Sequence, residues 1–184
     1  MSLPPFDANG LLPPGTYSLT FGELRASHLV TGQGAGASGS WDSTWRAHLV
    51  KNAEILVTEL WQVGIKEIFF DGSFVEAKDH PNDIDGYFEC HPLAVASGDL
   101  ERDLNILDPY KIWTWNPNSR KFDSETMKWQ LPMWHRYRVE LWPHYPGLLC
   151  GITDEHGHEL QFPSAFRQQR DTFLPKGIIK IVHS

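Results

Sequence analysis

The chain has 184 residues, 41% of them hydrophobic and 12% aromatic, which suits one domain (1–184) with a real core and leaves little room for a separate substrate domain. A formal net charge of −7 argues against a broad, sequence-independent grip on nucleic acid, which depends on neutralising many phosphates. No run approaches the ~20 apolar residues of a membrane helix, and Met-Ser-Leu-Pro-Pro lacks the basic start and apolar middle of a signal peptide, so a cytoplasmic location without a membrane partner is expected.

Residues 1–19 read as an extended arm, because Pro4-Pro5, Pro13-Pro14 and Gly15 break any helix. Thr20 and Glu23 have capping-box spacing, which predicts a short helix from Phe21 to about Leu29. The Gly-rich stretch 31–40 follows as a flexible loop that lacks the lysine of a Walker phosphate loop. From Asp42 to Val63, Trp45, Leu49, Leu56, Leu60 and Val63 recur at helical intervals, with Asp42 or Ser43 as N-cap and Gly64 as the stop. Ile65 to Phe70, β-branched and aromatic, reads as a buried strand.

After a Gly72-Ser73 turn and nine intervening residues, Asp83-Ile84-Asp85 opens another strand-like run. Side chains alternate along a strand, so Asp83 and Asp85 share a face with Cα atoms ~7 Å apart. Two adjacent carboxylates are costly to bury without a cation, and oxygen ligands favour Mg²⁺ or Mn²⁺ over zinc. The alternative is a pair that is simply solvated on an Asp- and Asn-rich edge or loop.

Leu93 to Leu107 predicts a helix with Gly98 as its weak point. Residues 108–135 hold Trp113, Trp115, Trp129 and Trp134 among prolines and asparagines, which suggests a decorated loop with a short helix near Ser124–Trp129 and marks the best candidate for a substrate-facing insertion. Arg136 to Trp142 alternates as a strand closed by Pro143, with Arg138, Glu140 and Trp142 on one face. Asp154 to His158 reads as a turn, and Ile178 to Val182 as the last strand. Histidine spacings and the absence of Cys-x-x-Cys give no zinc site, and Cys90 and Cys150 are expected to be reduced packing thiols.

Gly72-Ser73 followed at nine residues by Asp83-Ile84-Asp85 resembles the signature of the polymerase-β-type nucleotidyltransferase superfamily. With the opening FDANGLLPPGTY and the closing PKGIIKI, the chain is also similar to a group of small bacterial and phage proteins with nucleotidyltransferase-like cores. The resemblance implies an α/β (α+β) fold with a short mixed β-sheet and helices packed mainly on one face. It implies that Gly72 and Ser73 contact a triphosphate and that Asp83 and Asp85 hold Mg²⁺ (or Mn²⁺). A third carboxylate belongs on a later strand, where Val139-Glu140-Leu141 resembles the superfamily element and nominates Glu140. Lys78, between the turn and the acidic pair, is a further candidate phosphate contact.

The implied activity moves a nucleoside monophosphate from an NTP to an acceptor hydroxyl on a protein, a tRNA or a small molecule. Small stand-alone members often serve as toxins or phage-defence components, which implies an antitoxin-like partner. The alternative is a catalytically inactive nucleotide-binding or regulatory module of the same fold. Two positions depart from the pattern: Asp71 stands where an apolar residue is usual, and Gly86 follows Asp85, which suggests close approach of a ligand or another backbone.

Overall fold

The extended N-terminal arm ends in a strand: β1 (Thr16–Leu19) pairs in parallel with the last strand of the chain. A computed structural model describes residues 3–34 and 39–183, so positions 35–38 of the expected flexible loop lie outside the described residues. The predicted capping box is present, with Glu23 N donating to Thr20 Oγ1 (3.2 Å) and Thr20 N donating to Glu23 Oε2 (2.8 Å). It starts α1 (Phe21–Ala26), which stops short of Leu29 because Ser27 takes an extended conformation; α2 (His28–Thr31) follows.

Asp42 accepts a hydrogen bond from Trp45 N at 2.8 Å and opens α3 (Ser43–Gln62). Leu49, Val50, Ala53, Leu56, Val57 and Leu60 form its buried stripe. Gly64 at φ 88° ends the run. Next come β2 (Ile68–Asp71), a 3₁₀ turn over Gly72–Val75, and β3 (Ile84–Glu89). The expected helix over 93–107 is divided into α4 (Pro92–Ala96) and α5 (Asp99–Leu107) at Gly98, whose φ of 75° is left-handed.

Two expectations for the later chain are corrected. No helix forms near Ser124–Trp129; β4 (Lys121–Asp123) and β5 (Lys128–Gln130) make an antiparallel hairpin instead. Its turn is fixed by Asp123, whose carboxylate accepts from both the N–H and the hydroxyl of Thr126 (2.7 Å each), with Met127 at φ 56°. Arg136 and Tyr137 belong to α6 (Pro132–Tyr137), not to a strand. Pro132 suits the first helical turn, and Met133, Trp134 and Tyr137 bury one side of it. Arg138 then turns left-handed (φ 55°) and β6 runs Val139–His144 through Pro143. As an edge strand of its sheet, β6 tolerates the missing proline N–H. A short α7 (Phe162–Ala165) and β7 (Ile178–Ile181) complete the chain.

The main sheet has five strands in the order β1-β7-β2-β3-β6. It is mixed: β1 with β7 and β3 with β6 are parallel, while β2 is antiparallel to both its neighbours. Ile68, Phe70, Ile84, Phe88, Val139, Leu141, Ile179 and Ile181 face a large core shared with α1, α2, α3, α5 and α6. The opposite face carries Phe69, Tyr87, Ile178 and Trp142 under Phe162 and Phe166. The protein is thus a mixed α/β structure with most of its helices on one face of the sheet.

Gly86 lies where β2, β3 and β6 come together, and a Cβ there would meet Phe69 O at 2.4 Å and Leu141 Cδ2 at 2.8 Å. The close backbone approach suggested by its sequence position is therefore real. Cys90 and Cys150 are both free thiols. Among the described residues no helix is long and apolar enough to cross a membrane.

Candidate functional site

Alternation along the three adjacent strands β2, β3 and β6 puts Phe69 and Asp71, Asp85 and Tyr87, and Glu140 and Trp142 on the same, second face of the sheet. The registers then align three acids in one row, Asp71 opposite Asp85 and Asp85 opposite Glu140. Neighbouring strands lie ~5 Å apart, so these carboxylates are forced into each other's fields. Asp83, just before β3, reaches the same cavity.

That cavity has a volume of about 620 Å³, within the range of sites that take drug- or nucleotide-sized molecules. All six residues nominated from the sequence line it: Gly72, Ser73, Lys78, Asp83, Asp85 and Glu140. Sequence reasoning missed the cations around them, Arg120, Lys128, Arg170 and Lys176, which come from distant segments. Arg138, placed on the Glu140 face by alternation, instead stacks 3.9 Å over the Trp134 ring and pairs with Glu125 at 3.5 Å.

The turn is built against the acidic row. Gly72 has φ 70°, and a Cβ there would fall 2.2 Å from Asp85 Oδ2, so a side chain at this position would be strained and would displace Asp85. Lys176, itself buried, braces the turn from behind: its ammonium lies 3.2 Å from Asp71 Oδ2 and donates to Glu76 Oε1 (2.7 Å) and Gly72 O (3.3 Å). Asp71, the carboxylate that stands where an apolar residue is usual, thus has its own counter-ion. Among the described residues Asp71 Oδ1 has no hydrogen-bond partner, although it is buried.

The loop from Phe74 to Lys78 is held by Arg46, wholly buried on α3. Its guanidinium donates to the carbonyls of Leu29 (2.6 Å), Phe74 (2.8 Å), Glu76 (3.1 Å) and Lys78 (2.6 Å) and stacks 3.9 Å over Trp41. Arginine's planar fork can satisfy several carbonyls at once, which a lysine cannot.

The row resists full ionisation. Burial, followed by the charges of Asp83, Glu140 and Asp71, pushes the Asp85 carboxyl well above the usual range. Burial raises Asp71 to about 7 against the pull of Lys176. It also raises Glu140, which is opposed by the Leu131 N–H, and Asp83, which is opposed by the Trp134 N–H. Like charges sharing one site cannot all ionise without a compensating cation.

The donor chemistry therefore fits a hard divalent ion: oxygen ligands only, mutually repelling, with one buried carboxylate oxygen lacking a partner. The side-chain positions are not those of a formed metal centre. Among the described residues no group of three or more His, Cys, Asp or Glu side chains is placed to hold an ion. Asp83 Oδ2 accepts from Trp134 Nε1 (2.7 Å) and Glu140 Oε1 from Leu131 N (3.3 Å), so one oxygen of each acid is already engaged by the protein.

No curated protein and no solved structure matches the chain. A family profile matches residues 4–182, nearly the whole chain, with every strand of the main sheet, the turn and the hairpin included. On that match the chain belongs to DUF6932, a family of unknown function.

Proposed function

We propose that the protein is a metal-dependent nucleotidyltransferase that moves a nucleoside monophosphate from an NTP to an acceptor hydroxyl. The observation that carries this reading is the Asp71–Asp85–Glu140 row, with Gly72 packed against Asp85 in the same cavity. Asp83 and Asp85 would hold Mg²⁺ or Mn²⁺, with Glu140 completing the set. Such an ion neutralises the carboxylates and the triphosphate and polarises the phosphoryl oxygens.

The chain's own groups supply the rest. The backbone N–H groups of the Gly72-Ser73 turn and the Ser73 hydroxyl face the β- and γ-phosphates, with Lys78 at the edge of the loop. Glu140 orients the acceptor hydroxyl and helps to deprotonate it. The acceptor oxygen bonds to the α-phosphorus as the bond to the bridging oxygen breaks, and pyrophosphate leaves. Arg120 and Arg170 stand at the cavity wall for the charge of the leaving group. The acceptor is a protein, a tRNA or a small molecule, and a cytoplasmic toxin or phage-defence role with an antitoxin-like partner is what the family resemblance implies.

A second reading, a nucleotide-binding module without turnover, is favoured by the hydrogen bonds from Trp134 and Leu131 that already engage Asp83 and Glu140. Incubation with each α-labelled NTP, Mg²⁺ and cell extract separates the two. Label transfer that disappears in Asp83→Asn and Asp85→Asn supports the transferase. Tight NTP binding with neither transfer nor pyrophosphate release supports the module.

A further inference from the structure

Of the eight tryptophans, Trp113 and Trp134 are completely buried, and five others are partly buried. Trp129 is the exception. It sits on β5 with 62% of its surface exposed, opposite Phe122, which is 47% exposed. The two rings lie 5.8 Å apart at a tilt of 59°, so the hairpin presents an aromatic surface with no protein element covering it.

The placement of that surface gives it a ligand. Trp129 lines the same cavity as the acidic row, beside Lys128, Gln130 and Arg120. One residue past β5, the N–H of Leu131 bonds the Glu140 carboxylate; Trp129 is two residues of extended chain away, ~7 Å. The hairpin is also anchored at its other strand, where the His135 ring lies 3.0 Å from Lys121 O. An aromatic face flanked by cations, a short step from a phosphate-handling centre, is how proteins hold a nucleobase.

We propose that the β4–β5 hairpin is the base-binding element of the site, with the nucleobase of the donor NTP stacked on Trp129. This rests on the nucleotidyltransferase reading above. Stacking tolerates any base because every base has a π-face, so ATP and GTP should bind alike, with CTP and UTP weaker in proportion to their smaller rings. The net charge of −7 favours this occupant over a long single strand, whose phosphates require extended neutralisation.

The test is calorimetric titration of Mg·ATP and of Mg·tripolyphosphate, which keeps the phosphates and removes the base. Wild type should bind Mg·ATP about tenfold or more tighter than Mg·tripolyphosphate, within the contribution of base–aromatic stacking. Trp129→Ala should lose that difference with tripolyphosphate affinity unchanged, which also reports that the site is folded; Trp129→Phe should keep most of it. Retention of the difference in Trp129→Ala overturns the proposal and leaves the transferase reading standing. Unchanged ATP affinity with weakened binding of single-stranded oligo(A) assigns the hairpin to a nucleic-acid acceptor and likewise overturns it. Failure of wild type to bind either Mg·ATP or Mg·tripolyphosphate removes the transferase reading itself, and the base assignment with it.

Discussion

Asp85 and Glu140 are register partners on neighbouring parallel strands, two carboxylates that share one cavity. The charge of Glu140 adds to the cost of ionising Asp85. In metal-free buffer, Asp85→Asn and Glu140→Gln should therefore leave stability unchanged or raise it by ~1 kcal/mol, read as a higher midpoint in urea. The same variants should lower Mg²⁺-dependent transfer by more than the ~10–100-fold that loss of a supporting partner costs. Stability gained with activity lost separates a ligand role from a structural one.

Gly72 and Gly98 have nearly the same left-handed backbone, φ 70° and 75°, but only Gly72 has Asp85 within reach of an added Cβ. Gly98→Ala should cost ~1 kcal/mol for the backbone alone. Gly72→Ala should cost more, ~2–3 kcal/mol, and should weaken divalent-ion binding because Asp85 has to move. Parallel denaturant titrations of the two variants measure the difference.

Arg46 satisfies four backbone carbonyls from a buried position. Arg46→Lys should destabilise the fold by ~3 kcal/mol, because a single ammonium cannot span these acceptors and buried carbonyls are left without donors. Hydrogen exchange should report loosening over the segment 74–78 in particular.

Glu59, buried on α3, accepts from Trp113 Nε1 at 2.6 Å. Burial raises its carboxyl from the ordinary 4.5 to about 7, with the Trp113 hydrogen bond opposing and Asp108 adding to the rise. The folded state then binds more protons than the unfolded one between these values. Its contribution, ~2–3 kcal/mol, is fully present below pH about 4.5 and is lost as pH rises through about 7. Glu59→Gln should remove this part of the slope, seen by comparing urea midpoints of the two proteins from pH 5 to 8.

Much of this was legible along the chain because it is local. The period of α3, the Thr20–Glu23 capping box and the spacing of Gly72-Ser73 to Asp83 and Asp85 each lie within one segment. The errors arose where neighbouring patterns overlap. Arg136 to Trp142 alternates like a strand, but Pro132 and the buried side of α6 claim its first two residues. The hairpin is set by one Asp123–Thr126 turn within a stretch otherwise rich in loop residues. What the sequence could not display is the pairing itself. Asp71 joined the row only because β2 lies antiparallel to β3 in that register, and Lys176 reaches Asp71 from more than a hundred residues away. Such contacts follow from sheet order rather than from spacing.

Mn²⁺ titration followed by electron paramagnetic resonance, with a non-hydrolysable NTP analogue present, reads whether Asp83, Asp85 and Glu140 hold a divalent ion for a nucleotide. Protein-bound Mn²⁺ is expected in the wild type, with its signal lost in Asp85→Asn and weakened in Glu140→Gln. A wild-type protein that leaves all Mn²⁺ free, or an Asp85→Asn variant that binds it as well as wild type, would contradict that role.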